Sequence, residues 1–233
     1  MLTGVYQKVD QGKPVKISPM QREYLGEIYR LERSPEGVTT SALAERLEVS
    51  SSAVARMLRR LDQLGFLTHI PYQGVKLSAA GEHEALRSIR RHRLLEVFLV
   101  KVMGFGWDEV HEESHGLQLT ISNAFEDRMD ALAGHPTHCP HGDPIPTKEG
   151  RMAATHDAPL LELAVGAGAV LRRVKTDDGD KLRYLAELGL VPGVPLRVLG
   201  RAPFNGPLRI RANGDEHVIG TELARSLRVE TVP

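Results

Sequence analysis

The 233-residue sequence has little of several features that define protein classes. It contains one cysteine, Cys139, so an intrachain disulfide is excluded, as is usual for proteins of a reducing cytoplasm. The formal net charge is zero, so overall charge neither favours nor excludes a nucleic-acid partner. No apolar run is long enough to span a bilayer, and the N-terminal residues contain no apolar core of a secretory signal. We therefore expect a cytoplasmic protein without a membrane partner.

The pattern of apolar residues changes along the chain. Before Gly134 they recur at helical spacing, with two long helices predicted after the first three. The stretch from Gly134 to Gly150 is dense in proline and glycine, so neither a helix nor a central strand could persist through it. After Pro159, short apolar runs alternate with turns, and Asn213-Gly214 is a strong hairpin signal. We predict a mainly α-helical protein whose tail is a small β-barrel or sandwich.

Two short, closely joined helices are predicted before Gly65. Thr39 or Thr40 caps the first, and Ser50 or Ser51 caps the second. A capped helix with hydroxyls at its N-terminus and arginines along one side suits the major groove of DNA. The outward side of the second helix carries five such residues: Ser51, Ser52, Arg56, Arg59 and Arg60. The alternative is an ordinary solvated face of a helical bundle.

A hairpin predicted directly after these helices makes the motif a winged helix-turn-helix that binds double-stranded DNA. We expect Tyr72 and Lys76 in this wing to meet phosphates. In the second helix, some side chains would contact base edges and others phosphates. The base-contacting candidates are Ser51, Ser52 and Arg56, the phosphate-contacting ones are Arg59 and Arg60, and Thr40 and Ser50 complete the DNA-binding set.

The stretch "HEESHGLQ" places three donor side chains on one helical face. His111, His115 and Gln118 are separated by four and three residues. In the preceding long helix His92 and Glu96 are also four apart. Imidazoles and carboxylates on adjacent helices could enclose a divalent cation, and without sulfur they favour Mn²⁺, Fe²⁺ or Zn²⁺ over Cu⁺. The alternative is a chance surface pairing in a chain with ten histidines.

A further group of donors lies in "HPTHCPHG". It comprises His135, His138, Cys139 and His141. Zinc or haem binding is one interpretation of this spacing. However, the prolines stiffen the segment, and no partner pair lies at the distance typical of a zinc finger. We favour a structural loop.

The order of these motifs, namely a winged helix-turn-helix, "RHRLLE", "VHEESH", "CPHGDPIP" and a β-rich tail, resembles the DtxR/MntR family of iron- and manganese-dependent transcriptional repressors. The tail "LRYLAELGLVPGVPLRVLG" resembles the SH3-like, FeoA-type domain of many members. The resemblance covers the chain from about Ser18 onward. It implies a homodimer, formed through the helical domain, that presents two recognition helices to a palindromic operator. The implied parts are a flexible N-terminal arm (1–17), a winged helix-turn-helix domain (18–80), a helical metal-binding and dimerisation domain (81–141), a linker (142–157) and an SH3-like domain (158–233).

The resemblance also implies two metal sites per subunit. The two histidines and the glutamate of the family's ancillary site fall on His92, Glu96 and His111. A carboxylate from the β-rich tail would fall near Asp178.

The primary site of the family is matched only in part. Its ligand from the first helix falls on Glu23 and another falls on His115. The family's glutamate-histidine pair falls on Gln118 and Leu119, and leucine cannot bind a metal. This site is therefore either weaker than usual or rebuilt from the neighbouring residues Glu112 or Glu113.

The resemblance implies a repressor of metal-ion homeostasis with Mn²⁺, or alternatively Fe²⁺, as co-repressor; Zn²⁺, Co²⁺ or Cd²⁺ could substitute in vitro. Three alternatives remain. One is a winged-helix repressor with a vestigial metal site, and another is a purely structural dimerisation module. The third is a metalloenzyme, but no general base or nucleophile set is evident beside the histidines, so we expect no catalytic activity.

Overall fold

The computed structural model describes residues 17–34, 37–70 and 74–232. The chain divides into two compact units, Met1–Glu82 and His83–Pro233. None of the helices among the described residues has both the length and the apolar character needed to cross a membrane. The elements in chain order are α1 (Pro19–Leu31), α2 (Thr40–Arg46), α3 (Ser51–Gln63), β1 (Leu67–Ile70), β2 (Gly74–Leu77), α4 (Ala79–Phe98), α5 (Val110–Leu117), α6 (Asn123–Leu132), β3 (Ala158–Pro159), β4 (Gly168–Val174), α7 (Gly179–Glu187), β5 (Pro195–Arg201), β6 (Leu208–Ala212), β7 (Asp215–Ile219), α8 (Thr221–Ser226) and β8 (Leu227–Thr231).

The helices of the first unit begin at side chains that satisfy otherwise unpaired backbone N–H groups. Ser18 and Gln21 form a reciprocal capping box at the start of α1. The hydroxyl of Thr39 accepts a hydrogen bond from a backbone N–H in the first turn of α2, and the hydroxyl of Ser50 does the same for α3. The two open choices of cap are therefore resolved as Thr39 and Ser50.

The three helices of the first unit surround a small apolar core, and β1 and β2 form the antiparallel hairpin predicted after α3. The hairpin pairs Leu67 with Leu77 at its base, beside the helical core. This architecture is the predicted winged helix-turn-helix. The fully buried apolar side chains are Leu25, Ile28, Leu31, Leu43, Val54 and Leu61.

The helical part of the second unit departs from the sequence prediction in one respect. A single long helix was expected from Trp107 onward, but the structure has two, α5 and α6. The Ser122 hydroxyl accepts a hydrogen bond from the Phe125 N–H and so begins a new helix. Just before it, the hydroxyl of Thr120 donates to the carbonyl oxygen of Leu117, at the end of α5. Local capping therefore outweighs the continuous helical pattern.

The tail is a six-stranded antiparallel sheet in the order β3-β8-β4-β5-β6-β7, with α7 and α8 beside it. Asn213 and Gly214 join β6 to β7 with φ angles of 53° and 94°, the left-handed conformation expected of a type I′ hairpin. The predicted barrel is not closed, since β3 and β7 are edge strands within the described part of the chain. The fully buried core side chains include Leu160, Leu171, Leu182, Leu185, Val198 and Ile210.

The segment between the helices and the sheet folds back on itself. A β-bridge joins His138 to Pro144, and the Cys139 N–H donates to the Asp143 carbonyl oxygen at 2.9 Å. Cys139 and Ile145 are buried in an apolar cluster with side chains of α4. We name Cys139–Asp143 the metal-facing turn, for reasons given below. Its proline-rich sequence produces a tight, buried turn against α4.

Candidate metal centre

Helix α4 carries two buried polar side chains one turn apart. His92 and Glu96 have exposed fractions of 4% and 3%, and the Nε2 atom of His92 lies 3.1 Å from Oε1 of Glu96. His111, in the first turn of α5, approaches the same oxygen with its Nδ1 atom at 3.8 Å. The structure thus brings together the three residues predicted for one metal site.

The metal-facing turn adds two donors that the sequence analysis assigned to a structural loop. The Nδ1 atom of His141 lies 3.6 Å from Oε1 of Glu96. Cys139, Glu96 and His141 form one group of possible metal donors, and His92, Glu96 and His111 form another. Within each group the ligand atoms all lie within 4.8 Å of one another. Glu96 belongs to both groups, so the other four side chains converge on its carboxylate.

The electrostatics of this cluster favour an ionised Glu96. Burial raises the pKa of the Glu96 carboxyl, but the charge of His92 and hydrogen bonds from His111, His141 and His92 outweigh burial and hold the pKa well below its usual value. Burial lowers the pKa of His141, but its contacts with Cys139 and Glu96 dominate and raise that pKa to about 11. Burial and the nearby Glu96 charge raise the pKa of the Cys139 thiol. The ionised Glu96 carboxylate is therefore the centre of the cluster, and the surrounding imidazoles pair with it.

His141 is oriented by Trp107, which precedes α5. Its Nε2 atom donates a hydrogen bond to the Trp107 carbonyl oxygen at 2.8 Å. Because a carbonyl oxygen can only accept, Nε2 carries the proton and Nδ1 faces Glu96. The indole and imidazole rings are stacked, with centroids 5.6 Å apart and an interplanar angle of 29°. Such an outer contact fixes both the tautomer and the direction of a ligating imidazole.

The carboxylate nearest this cluster from the β-rich tail is Asp177 rather than the predicted Asp178. The Oδ1 atom of Asp177 lies 3.7 Å from Nδ1 of His111. The side chain of Asp178 instead caps α7, where it accepts hydrogen bonds from the backbone N–H groups of Asp180 and Lys181. Asp178 is engaged on α7 by this cap and by Nζ of Lys181, which lies 3.6 Å from its Oδ2 atom, and this explains the difference.

The remaining predicted metal residues lie elsewhere. His115 is exposed, and its Nδ1 atom is 3.4 Å from Nε2 of the buried Gln118. Glu112 and Glu113 are exposed in the first turn of α5. Glu23 is buried on α1, in the first unit. Among the described residues, His115 belongs to neither of the two donor groups.

The chemistry of the donors fits a first-row divalent cation. Three imidazole nitrogens and a carboxylate are suitable for Mn²⁺, Fe²⁺ or Zn²⁺, and ligands of this kind are usually buried and mutually oriented. The Cys139 thiol adds a sulfur donor that the predicted set of imidazoles and carboxylates did not include. A sulfur ligand adds affinity for softer ions such as Zn²⁺ and Cd²⁺.

The DNA-facing candidates of the first unit are accessible. All five predicted residues on the outer side of α3 are exposed, and Lys76 is exposed on β2. Thr40 is exposed at the first position of α2, and Ser50 is the N-cap of α3. Tyr72 lies outside the described residues.

Comparison with protein families covers nearly the whole chain. The N-terminal DNA binding domain of iron dependent repressors matches residues 16–75, and their metal binding and dimerisation domain matches residues 78–147. A FeoA domain matches residues 158–231. The fold and its site therefore define a metal-dependent, DNA-binding transcriptional repressor.

Individual relatives agree with this class. The iron-dependent repressor IdeR of Mycobacterium leprae (strain TN) is 34% identical over 224 residues, which cover 90% of this chain and 96% of that protein. The structure of a manganese-dependent transcriptional repressor in complex with manganese superposes with a TM-score of 0.85 at 34% identity, covering 91% of this chain and all of that chain. The structure of ScaR with bound Cd²⁺ gives a TM-score of 0.77 at 32% identity, covering 91% and 99%. The chain belongs to the family of iron- and manganese-dependent transcriptional repressors, as the resemblance predicted.

Proposed function

We propose that this protein is a repressor that binds a palindromic operator as a homodimer when Mn²⁺, or alternatively Fe²⁺, occupies the cluster around Glu96. The observation that carries the proposal is the buried Glu96 carboxylate, which has three imidazole nitrogens at 3.1 to 3.8 Å. A buried charge of this kind is unfavourable unless it is paired. The relative with a TM-score of 0.85 is described in complex with manganese, which supports the choice of cation.

The proposed ligands come from separate elements of the second unit. His92 and Glu96 lie on α4, His111 lies on α5, and Cys139 and His141 lie on the metal-facing turn. A bound divalent cation would supply a positive centre that attracts all five donors at once. Asp177, which approaches His111, replaces Asp178 as the proposed contribution of the β-rich tail.

Helix α4 connects the DNA-binding unit to this cluster along the chain. It begins at Ala79, inside the first unit, and carries His92 and Glu96 in the second. Side chains that hold α4 against α5 and the metal-facing turn therefore restrict a helix whose first residues belong to the DNA-binding unit. Restricting the two heads of a dimer lowers the ordering cost on an operator whose half-sites are spaced by a fixed length of DNA.

The other predicted ligands form a second, weaker site in this proposal. Its donors in the second unit are His115 and Gln118, with Glu112 or Glu113 as possible replacements, and Glu23 stays a predicted ligand on α1. It is weaker because Gln118 is a neutral amide where the family has a carboxylate, and Leu119 offers no donor atom.

Exposed apolar side chains support association through the helical domain. Leu117 at the end of α5, and Phe125 and Leu132 on α6, have exposed fractions of 44%, 48% and 58%. Phe125 and Leu132 are seven residues apart and so share one face of α6. Exposed apolar faces are typical of protein interfaces. We propose this surface as the dimer contact. In the DNA-binding unit, Ser51, Ser52 and Arg56 contact base edges while Arg59, Arg60, Lys76 and Tyr72 contact phosphates.

The test is a band-shift titration of genomic fragments with Mn²⁺, Fe²⁺ or Zn²⁺ in turn and with chelator. The double variant His92→Ala/His111→Ala is expected to lose metal-stimulated binding while keeping a native circular dichroism spectrum. The matched control is His135→Ala, because His135 is exposed and its imidazole pairs with Asp130 rather than with Glu96. If metal stimulates DNA binding by the double variant as strongly as by the wild type, the cluster is not the metal sensor.

A further inference from the structure

The metal-facing turn is held from outside by strand β4 of the FeoA-type domain. The backbone N–H of Val174 donates to the carbonyl oxygen of His141 at 2.9 Å. Gly142 has a φ of +88°, and a Cβ atom there would lie 1.9 Å from the carbonyl oxygen of Arg172. The turn thus approaches the backbone of β4 as closely as a residue without a side chain allows.

A charged side chain of the same strand holds the turn at its other end. Nη1 of Arg173 donates to Oδ1 of Asp143 at 2.9 Å, and both side chains are mostly buried. Asp143 also accepts, through its carbonyl oxygen, the hydrogen bond from the Cys139 N–H that closes the turn. Arg173 therefore contacts the residue that fixes the conformation of both proposed ligands, Cys139 and His141.

Arg173 is also held by a second carboxylate, that of Asp157. Its Nη2 atom lies 2.7 Å from Oδ1 of Asp157, whose carboxylate also accepts from Nε of Arg228 at 3.0 Å. The Asp157 side chain has an exposed fraction of 4%. Because Asp157 accepts hydrogen bonds from both Nε and Nη2 of the guanidinium, little conformational entropy remains to be lost when Arg173 binds Asp143.

We infer that Arg173 is a positioning residue for the metal centre: through Asp143 it orients the turn that aims the Nδ1 atom of His141 at Glu96. The FeoA-type domain then contributes to metal affinity by bracing this turn, separately from any carboxylate that Asp177 supplies. The inference rests on the proposed function, since it assumes that His141 binds the cation. Arg173 acts through His141 and does not itself touch the metal.

Outer contacts that orient a metal ligand typically change metal affinity by 10- to 100-fold when they are removed. Arg173→Gln is therefore expected to weaken Mn²⁺ binding by roughly tenfold or more. Arg173→Lys keeps one charge but cannot reach two carboxylates at once, so its affinity should be intermediate. The matched control is Arg172→Gln, the preceding residue, whose exposed guanidinium pairs with Glu230 instead. The control should bind Mn²⁺ as the wild type does.

The experiment titrates Mn²⁺ into the full-length protein by calorimetry and follows the fluorescence of Trp107, the single tryptophan, which stacks on His141. Arg173→Gln and His141→Ala are measured singly and together. A residue that acts through His141 has no further effect once the imidazole is gone, so the double variant should match His141→Ala. A general structural role would instead add its loss to that of His141→Ala.

The possible results distinguish a wrong set of metal ligands from a wrong role for Arg173. If wild type and His141→Ala bind Mn²⁺ equally well, the proposed ligand set is wrong. If His141→Ala weakens binding but Arg173→Gln does not, or if the two losses add, the positioning role is overturned and the ligand set stands. Should thermal melting show that Arg173→Gln is unfolded, Asp143→Asn takes its place, because that change leaves the Arg173–Asp157 pair intact. It is expected to give the same non-additive loss with His141→Ala.

Discussion

The donor cluster around Glu96 and the outer face of α3 are built in opposite ways. In the cluster, the polar groups are buried and orient one another, and Glu96 has an exposed fraction of 3%. On α3, the serines and arginines are exposed along one side of a capped helix. A site for a small cation needs several protein atoms around one point, whereas a site for DNA needs side chains that can reach outward. The two regions should therefore respond differently to substitution.

The largest effect is expected from Glu96→Gln. This carboxylate belongs to both donor groups, so its neutral amide isostere should reduce Mn²⁺ affinity by more than about 100-fold and abolish metal-stimulated operator binding. Calorimetric titration measures the affinity. The control is Glu187→Gln, an exposed acid on α7, which should bind Mn²⁺ as the wild type does. A Glu96→Gln protein that binds Mn²⁺ within a few-fold of wild type would show that the shared carboxylate is unimportant.

Next come Arg56→Ala and Arg60→Ala, which separate base contacts from phosphate contacts on α3. Loss of a base contact should cost roughly 1–3 kcal/mol and relax preference at one operator position. Loss of a phosphate contact should weaken all sequences alike and lower the salt slope by about one. Binding of each variant to operator and random DNA across a salt series provides the measurement. Identical patterns for the two variants would contradict these roles.

A smaller effect is expected from Cys139→Ser within the buried cluster. A hydroxyl is a harder donor than a thiolate and does not ionise near neutral pH, so affinity for Zn²⁺ or Cd²⁺ should fall about tenfold more than affinity for Mn²⁺. Competition titrations with each ion measure this ratio. An equal loss for all three ions would mean that the sulfur is outside the coordination sphere.

The smallest effect concerns Asp157, which supports Arg173. Burial raises the pKa of the Asp157 carboxyl, but hydrogen bonds from Arg173 and Arg228, with their charges, outweigh burial and hold the pKa below its usual value. Its stabilising contribution is therefore complete above the unfolded pKa of about 4 and is lost as pH falls through the lower folded pKa. Asp157→Asn should lower the free energy of unfolding by about 1 kcal/mol at pH 7, measured with urea, and this difference from the wild type should narrow below about pH 4. A difference in unfolding free energy that does not change with pH would contradict a lowered pKa for Asp157 in the folded protein.

The same contrast explains how much could be predicted from the sequence. The face of α3 was predicted because helical spacing, a serine cap and arginines on one side are local signals. The pairs His92–Glu96 and His111–His115 were predicted for a similar reason, from their spacing on adjacent helices. The resemblance to the family then implied the group of His92, Glu96 and His111. The type I′ hairpin at Asn213-Gly214 was equally local.

The contributions of Cys139 and His141 could not be predicted in this way. Both depend on a turn that packs against α4 and β4, elements distant in the chain. The Cys-x-His spacing was visible, but the partner that completes the group is Glu96, which no spacing rule connects to it. The placement of Asp177 rather than Asp178 depends on which of two adjacent acids caps α7, and the Gly179 that follows is only a weak signal for that choice.

Gly142 has a consequence for genetics. Any side chain at this position would collide with a carbonyl oxygen of β4, although the residue holds no donor atom for a cation. A genetic screen can select cells that transcribe the controlled genes even when metal is abundant. It should recover substitutions at Gly142 as well as substitutions at the histidines. Such alleles would identify a contact between two domains rather than the loss of a metal ligand.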